Sequence, residues 1–209
     1  MSQAPSPRII GLTGGIGMGK TTVSEYLAKT YQLPILDADL YAREAVEPGT
    51  IVLEAIVNRY QSKILLPDGT LDRRQLGAII FTQPSERSWL DQQIHPHVRQ
   101  ALSRDRDRLI QATHQTIVMV IPLLFEAQMT DLTTEIWVVS CSLDQQIQRL
   151  VQRESLSLEQ ATARINSQMA IAEKCDRADV VLENASTLES LLEQVDRAIQ
   201  HPKSPKPDG

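Results

Sequence analysis

The sequence has little cysteine and no long apolar run, and both absences limit what the chain can be. Its two cysteines, Cys141 and Cys175, fit no metal-ligand spacing, so we expect reduced thiols, no disulfide framework and a cytoplasmic location. The longest apolar run, from Ile117 to Phe125, is far shorter than the ~20 residues that span a bilayer. The segment from Met1 to Arg8 lacks the apolar region of a signal peptide. We therefore predict no membrane partner.

An excess of positive charge is also missing. The chain has 21 Lys and Arg residues against 26 Asp and Glu residues, a formal net charge of -5. Because this balance offers no general attraction for a polyanion, we predict no nucleic-acid partner, and an anionic ligand has to be held by local basic residues. The length of 209 residues fits one well-buried domain with subdomains. For the oligomeric state we favour a monomer.

A glycine-rich stretch near the N-terminus carries the strongest functional signal. Gly14, Gly19, Lys20 and Thr21 fit the pattern G-x-x-x-x-G-K-[ST]. An apolar strand precedes the stretch and an amphipathic helix follows it, so an ordinary turn is the weaker interpretation. In such a loop, backbone N–H groups surround a polyphosphate, the lysine reaches the β and γ phosphates, and the hydroxyl ligates Mg²⁺. We assign binding of a nucleoside triphosphate to Gly15, Ile16, Gly17, Met18, Gly19, Lys20, Thr21 and Thr22, with Mg²⁺ at Thr21.

Apolar runs separated by turn residues predict the fold class. Besides the strand before the loop, we predict strands at residues 33–37, 116–121, 135–140 and 179–184. Helical patterns lie between and after them. The order predicts a single α/β domain over residues 1–209, built on a doubly wound parallel sheet of the P-loop kinase type.

The helical stretches have expected roles and boundaries. From about residue 40 to about residue 115 there is too much helix for one crossover, which indicates a helical insert for acceptor recognition. Pro96 is expected in the first turn of a helix. Ser157 and Ser186, each followed three residues later by Gln or Glu, have capping-box spacing. Residues 201–209 read as a flexible tail.

Two acids follow the second predicted strand, where open α/β sheets gather functional residues. Asp37 or Asp39 could orient or deprotonate an acceptor hydroxyl, and the alternative role for either is to cap a helix. Both interpretations stay open at this point.

Three arginines lie in the helical segment at about residues 144–176, which we predict to be a lid. Arg149, Arg153 and Arg164 could close over the phosphates, because guanidinium groups suit phosphate oxygens. The alternative is that they pair with nearby glutamates, Glu154 and Glu159, on a solvated face.

The motifs favour a kinase for a small molecule over a GTP switch. No Asp stands three residues before a Gly, and residues 173–176 have Glu where guanine recognition uses Asn. Two alternatives remain open: a kinase for another acceptor, such as a nucleotide or shikimate, and a non-enzymatic ATP-binding regulator.

Seven strings together resemble the dephospho-CoA kinase family, and they follow that family's order through most of the chain. They lie at residues 11–22, 37–43, 47–49, 68–73, 94–96, 122–126 and 178–181. One departure is Met18, where the family usually has Ser, and it could alter packing over the phosphates. The resemblance implies ATP-dependent phosphorylation of the ribose 3′-hydroxyl of dephospho-CoA, the last step of coenzyme A synthesis.

The resemblance also implies roles for individual residues. Asp39 would accept the hydroxyl proton, Lys20, Arg149 and Arg153 would serve catalysis with it, and Asn184 would lie near the ATP adenine. For His95, the alternative is a helix-start histidine bonded to the backbone. The acceptor would be bound by Thr13, Asp39, Arg43, His95, Leu124, Glu126 and Arg164.

Overall fold

The structure is a computed structural model that describes residues 6–201, so the predicted tail lies outside the described residues except for its first residue. By internal contacts the chain divides into two units. The first contains the described residues up to Asp37 and from Arg106 onward, and the second is Ala38–Asp105.

The first unit is built on a parallel five-stranded sheet. The strands follow the order β2-β3-β1-β4-β5, and each neighbouring pair is parallel. The predicted α/β fold with a parallel sheet is therefore confirmed. The strands are β1 Arg8–Gly14, β2 Ile35–Asp37, β3 Thr116–Val120, β4 Glu135–Ser140 and β5 Val180–Glu183.

Helices occupy most of the remaining described chain. Short 3₁₀ turns add to them at Ser62–Ile64 and Thr130–Leu132. No helix within residues 6–201 is both long and apolar enough to cross a membrane. The helices are α1 Lys20–Tyr31, α2 Ala38–Glu44, α3 Ile51–Tyr60, α4 Arg73–Thr82, α5 Pro84–Gln111, α6 Leu143–Glu154, α7 Leu158–Asn166, α8 Ile171–Asp176 and α9 Leu188–Gln200.

The core of the first unit forms around the central strand β1. All its residues after Arg8 are buried, as expected for a parallel strand that is covered on both faces. Ile10 and Leu12 pack in one cluster with Trp137 of β4 and with Leu27 of α1. Because the strands are parallel, the segments that follow β1, β3 and β5 all leave the same edge of the sheet. That edge carries the glycine-rich loop.

The second unit has its own apolar core. Buried residues of α3, α4 and α5, among them Ile56, Leu76 and Leu90, form its cluster. Thr50 caps α3 through Leu53 N–H, and Asp72 caps α4 by accepting from two backbone N–H groups. Polar side chains therefore satisfy the first N–H groups of these helices.

Two expected helix boundaries are wrong. Pro96 lies inside α5, not at a helix start, and the helix continues because buried residues on both sides of the proline, such as Leu90 and Val98, hold it in place. The last helix, α9, is capped by Thr187 and not by Ser186, because Thr187 has the extended backbone and accepts from Ser190 N–H. The capping box at Ser157 is confirmed.

Candidate active site

Two glycines of the loop have backbone angles and surroundings that exclude a side chain. Gly14 has φ 142°, and a Cβ there would lie 2.3 Å from the Val139 carbonyl oxygen. Gly19 has φ 104°, and a Cβ there would lie 2.4 Å from Asn184 Nδ2. L-residues with side chains rarely adopt such angles. The glycines of the motif therefore let the chain turn sharply from β1 into α1 while it passes close to Val139 and Asn184.

The start of α1 has the character of an anion site. Its first turn contains no acidic residue, and its N-cap, Gly19, makes no side-chain capping bond. Backbone N–H groups at a helix start have no partner within the helix, and together with the helix dipole they give this end a partial positive charge. Lys20 lies in the same turn, and its Nζ donates to the Gly14 and Gly15 carbonyl oxygens at 2.9 and 2.8 Å. Thr21 and Thr22 follow it and are exposed.

Met18 belongs to the core and does not lie over the phosphate cradle. Its side chain is 1% exposed and packs in the cluster that contains Ile10, Leu12 and Val23. The methionine therefore adds apolar contact to the core next to the loop.

Two glutamines hold the backbone of the loop, and the sequence motifs do not identify them. Gln146 Nε2, on α6, donates to the Ile16 carbonyl oxygen at 2.8 Å. Ile16 N–H donates to Oε1 of Gln168, which follows α7, at 2.9 Å. The predicted lid segment is thus bonded to the phosphate loop through both the backbone carbonyl and the backbone N–H of Ile16.

The three arginines of the segment have different partners. Arg149 Nη2 donates to the Asn184 carbonyl oxygen at 3.0 Å, whereas its Nη1 is buried and has no hydrogen-bond partner within residues 6–201. Arg153 and Arg164 both bond Glu154. Hydrogen bonding from Arg153 and the charge of Arg164 outweigh burial and lower the pKa of Glu154. The alternative that the arginines pair with glutamates thus holds for Arg153 and Arg164. Arg149 keeps a buried donor without a partner in the described residues.

Asn184 fastens the end of β5 to the loop. Its Nδ2 donates to the Met18 carbonyl oxygen at 2.9 Å, and its backbone N–H donates to Ser140 O at 2.7 Å. Asn184 therefore supports the turn at Gly19, beside the start of α1.

The segment after β3 is fixed by a buried lysine that carries no sequence signal for this role. Lys174, on α8, is fully buried, and its Nζ contacts Glu126 Oε1 at 2.8 Å and the Pro122 carbonyl oxygen at 3.1 Å. Thr13 Oγ1 donates to the same carbonyl at 3.1 Å, and Met169 N–H donates to Glu126 Oε1 at 3.0 Å. This network joins the end of β1, the segment after β3 and α8.

The second oxygen of Glu126 is the feature of this network that points to a ligand. Glu126 Oε2 is buried and has no hydrogen-bond partner within the described residues. Burial alone would raise the pKa of Glu126, but hydrogen bonds from Lys174 and from backbone N–H groups outweigh it and lower the pKa. The carboxylate is therefore ionised near neutral pH and can accept a further hydrogen bond. Thr13 and Leu124, by contrast, are fully buried.

The remaining predicted site residues lie in the second unit. Asp39 is in the first turn of α2 and Arg43 in its last turn, and both residues are exposed. His95 lies within α5, with its Nε2 3.8 Å from Asp91 Oδ1. A mostly apolar pocket of about 230 Å³ in this unit is lined by α2, α4 and α5, with Arg43 and Arg73 among its residues.

Comparison with known proteins gives consistent matches over nearly the whole chain. The family model described as dephospho-CoA kinase matches residues 8–190. The dephospho-CoA kinase of Trichormus variabilis is 58% identical over 192 residues, covering 92% of this chain and 96% of that protein. That of Synechocystis sp. is 50% identical over 200 residues, covering 96% and 98%.

Solved structures agree with these sequence matches. A Thermus thermophilus protein superposes with a TM-score of 0.79 at 34% identity, covering 96% of this chain and all (100%) of that one. Dephospho-CoA kinase from Campylobacter jejuni superposes with a TM-score of 0.69 at 27% identity, covering 92% and 95%.

Proposed function

The chain belongs to the dephospho-CoA kinase family, and from this premise we propose that it transfers the γ-phosphoryl group of ATP to the ribose 3′-hydroxyl of dephospho-CoA. The products are coenzyme A and ADP. As a member of this family the chain is a kinase, which is a type of transferase. It acts in the last step of coenzyme A biosynthesis. The observation that carries the proposal is the glycine loop together with the start of α1. The first turn of that helix contains Lys20 and no acidic residue.

The loop and Arg149 hold the donor. Loop N–H groups and Lys20 bind the β and γ phosphates, for which Nζ exchanges its two carbonyl partners for phosphate oxygens. Arg149 directs its unused buried Nη1 donor to the same phosphates. Arg153 and Arg164 give up part of their pairing with Glu154 when they contact a phosphate group. Asn184, beside Gly19, borders the adenine.

Mg²⁺ fits the donor set at the start of α1. Within residues 6–201, no group of three or more His, Cys, Asp or Glu side chains could hold a metal ion. Mg²⁺ commonly takes most of its ligands from substrate phosphates and water, so the exposed Thr21 hydroxyl is sufficient as the protein ligand. Thr21 would hold the ion, which when bound would supply positive charge against the phosphate oxygens.

The predicted acceptor residues have separate roles. Asp39 orients the 3′-hydroxyl and takes its proton, because a ribose hydroxyl is a poor nucleophile at neutral pH. Glu126 uses its free Oε2 as a hydrogen-bond acceptor for dephospho-CoA. Arg43 attracts the anionic part of the acceptor, and His95 contacts it from α5. Thr13 and Leu124 belong to the same acceptor set and act through packing, since neither side chain is exposed.

We further propose that the enzyme acts in the cytoplasm as a monomer and without a nucleic-acid partner, and that residues 144–176 close over the nucleotide. The net charge of -5 supports the exclusion of nucleic acid. The bond of Gln146 to the loop and the bond of Arg149 to Asn184 support the lid, because they join this segment to the phosphate site.

The test is an ADP-release assay of the purified chain with a panel of acceptors. We expect turnover with dephospho-CoA and none above background with adenosine, AMP or shikimate. Mass spectrometry of the product should place the added phosphate on the 3′ position. Acceptor-independent ATP hydrolysis alone, or greater turnover with another acceptor, would contradict the proposed function.

A further inference from the structure

A side chain from the turn between α7 and α8 bonds the backbone of the phosphate loop at Ile16. Gln168 lies in this turn, and its Oε1 accepts Ile16 N–H at 2.9 Å. The glutamine is anchored locally, since its own N–H donates to the Ile165 carbonyl oxygen at 3.1 Å. Gln168 is only partly buried, so its side chain can move away from the loop into solvent.

The chemistry of the loop makes this bond unusual. Ile16 stands between the first and last glycines of the motif, within the row of N–H groups that a phosphate loop directs at a polyphosphate. Here the neutral amide oxygen of Gln168 accepts from the Ile16 N–H group, which would suit an anionic acceptor. Hydrogen bonds to charged acceptors are roughly twice as strong as bonds between neutral groups, so a phosphate oxygen should displace the glutamine.

We propose that Gln168 is a positioning residue that latches the α7–α8 turn onto the phosphate loop and releases Ile16 N–H to a phosphate oxygen of ATP. The inference rests on the proposed function, because it requires that the loop binds ATP. The latch holds the loop in shape before the nucleotide arrives and competes weakly with it.

Neighbouring contacts explain why the turn keeps its position when the latch opens. Met169 N–H, one residue further, donates to Glu126 Oε1 at 3.0 Å, and buried Lys174 contacts the same oxygen at 2.8 Å. Gln146 independently holds the Ile16 carbonyl at 2.8 Å. Opening the latch thus costs one neutral hydrogen bond, while the rest of the network stays formed.

The test compares Gln168→Ala, Gln168→Glu and a control, Gln152→Ala, which removes an exposed glutamine of α6. Equilibrium affinity for MgATP is measured by titration calorimetry without acceptor. The alanine removes the competitor, and a net hydrogen bond of typical strength corresponds to binding about 2- to 10-fold tighter. The glutamate places a charged acceptor on Ile16 N–H close to the phosphates, so we expect binding at least about 10-fold weaker. The control should bind like the wild type.

Opposite effects of the two substitutions distinguish a latch from a structural role, which would weaken binding in both variants. Thermal melting checks that each variant folds, and hydrogen exchange should show that the Ile16 amide is protected in the wild type with and without MgATP. Weaker or unchanged MgATP binding by folded Gln168→Ala would overturn the latch alone. Failure of the wild type to bind MgATP would overturn the proposed function as well.

Discussion

Replacing the buried lysine of α8 tests the network that fixes the segment after β3. Lys174 is 0% exposed and its partner Glu126 is 23% exposed by side chain. Lys174→Met keeps the volume of the side chain but leaves the Glu126 carboxylate without its cation and the Pro122 carbonyl without one donor. Removing one partner of a buried ion pair typically costs about 3–5 kcal/mol, because the remaining charge is uncompensated.

The partial exposure of Glu126 places the expected loss at the lower end of that range. A loss of about 3 kcal/mol in a domain of this size corresponds to a fall in Tm of about 6–12 °C. Lys29→Met is the matched control, since Lys29 pairs with Glu25 on the surface, where the side chains are 76% and 59% exposed. We expect the control to change stability by less than about 0.5 kcal/mol.

Thermal and chemical denaturation of five proteins provide the assay: the wild type, Lys174→Met, Glu126→Gln, the double variant and the Lys29→Met control. Because Glu126→Gln removes the uncompensated charge, the double variant should recover at least half of the stability that Lys174→Met loses. The KM for dephospho-CoA should also rise more than the KM for ATP in Lys174→Met, since Glu126 loses its orientation. A Tm within about 2 °C of wild type for Lys174→Met, or strictly additive losses in the double variant, would refute the reasoning.

Three further predictions follow from the site and from the second unit. Lys20→Ala should abolish most turnover without unfolding the chain, because loss of one charge clamp costs several kcal/mol of barrier; near wild-type turnover at saturating ATP would contradict it. Asp39→Asn should lower kcat by about 10² to 10⁴ with ATP affinity unchanged, and a loss of less than about tenfold would place the base elsewhere. Arg59 and Tyr60 lower the pKa of Glu86 from 4.5 to about 2, so the stability that this carboxylate contributes is complete above about pH 4.5 and is lost as the pH falls toward about 2. Acid denaturation should show this loss in the wild type, and an identical acid profile for Glu86→Gln would disprove it.

The sequence by itself determined the fold class, the phosphate loop and the family. A phosphate loop is a contiguous pattern, and buried parallel strands are short apolar runs, so both are visible without knowledge of distant contacts. The predicted strand at residues 135–140 coincides with β4, Glu135–Ser140. Acidic and basic candidate site residues could be predicted because the resemblance is carried by consecutive residues, and their roles stay predictions.

The tertiary structure alone decided which side chains meet at the loop. Ile16 bonds Gln146 and Gln168, which are 130 and 152 positions away in sequence, and no local pattern marks either glutamine. The sequence offered Glu154 and Glu159 as partners for three arginines, and the structure pairs two of them with Glu154 while a buried donor of Arg149 stays unused. The physical reason is the sheet order, which brings the segments after β1, β4 and β5 to one edge and so selects contacts that sequence separation conceals.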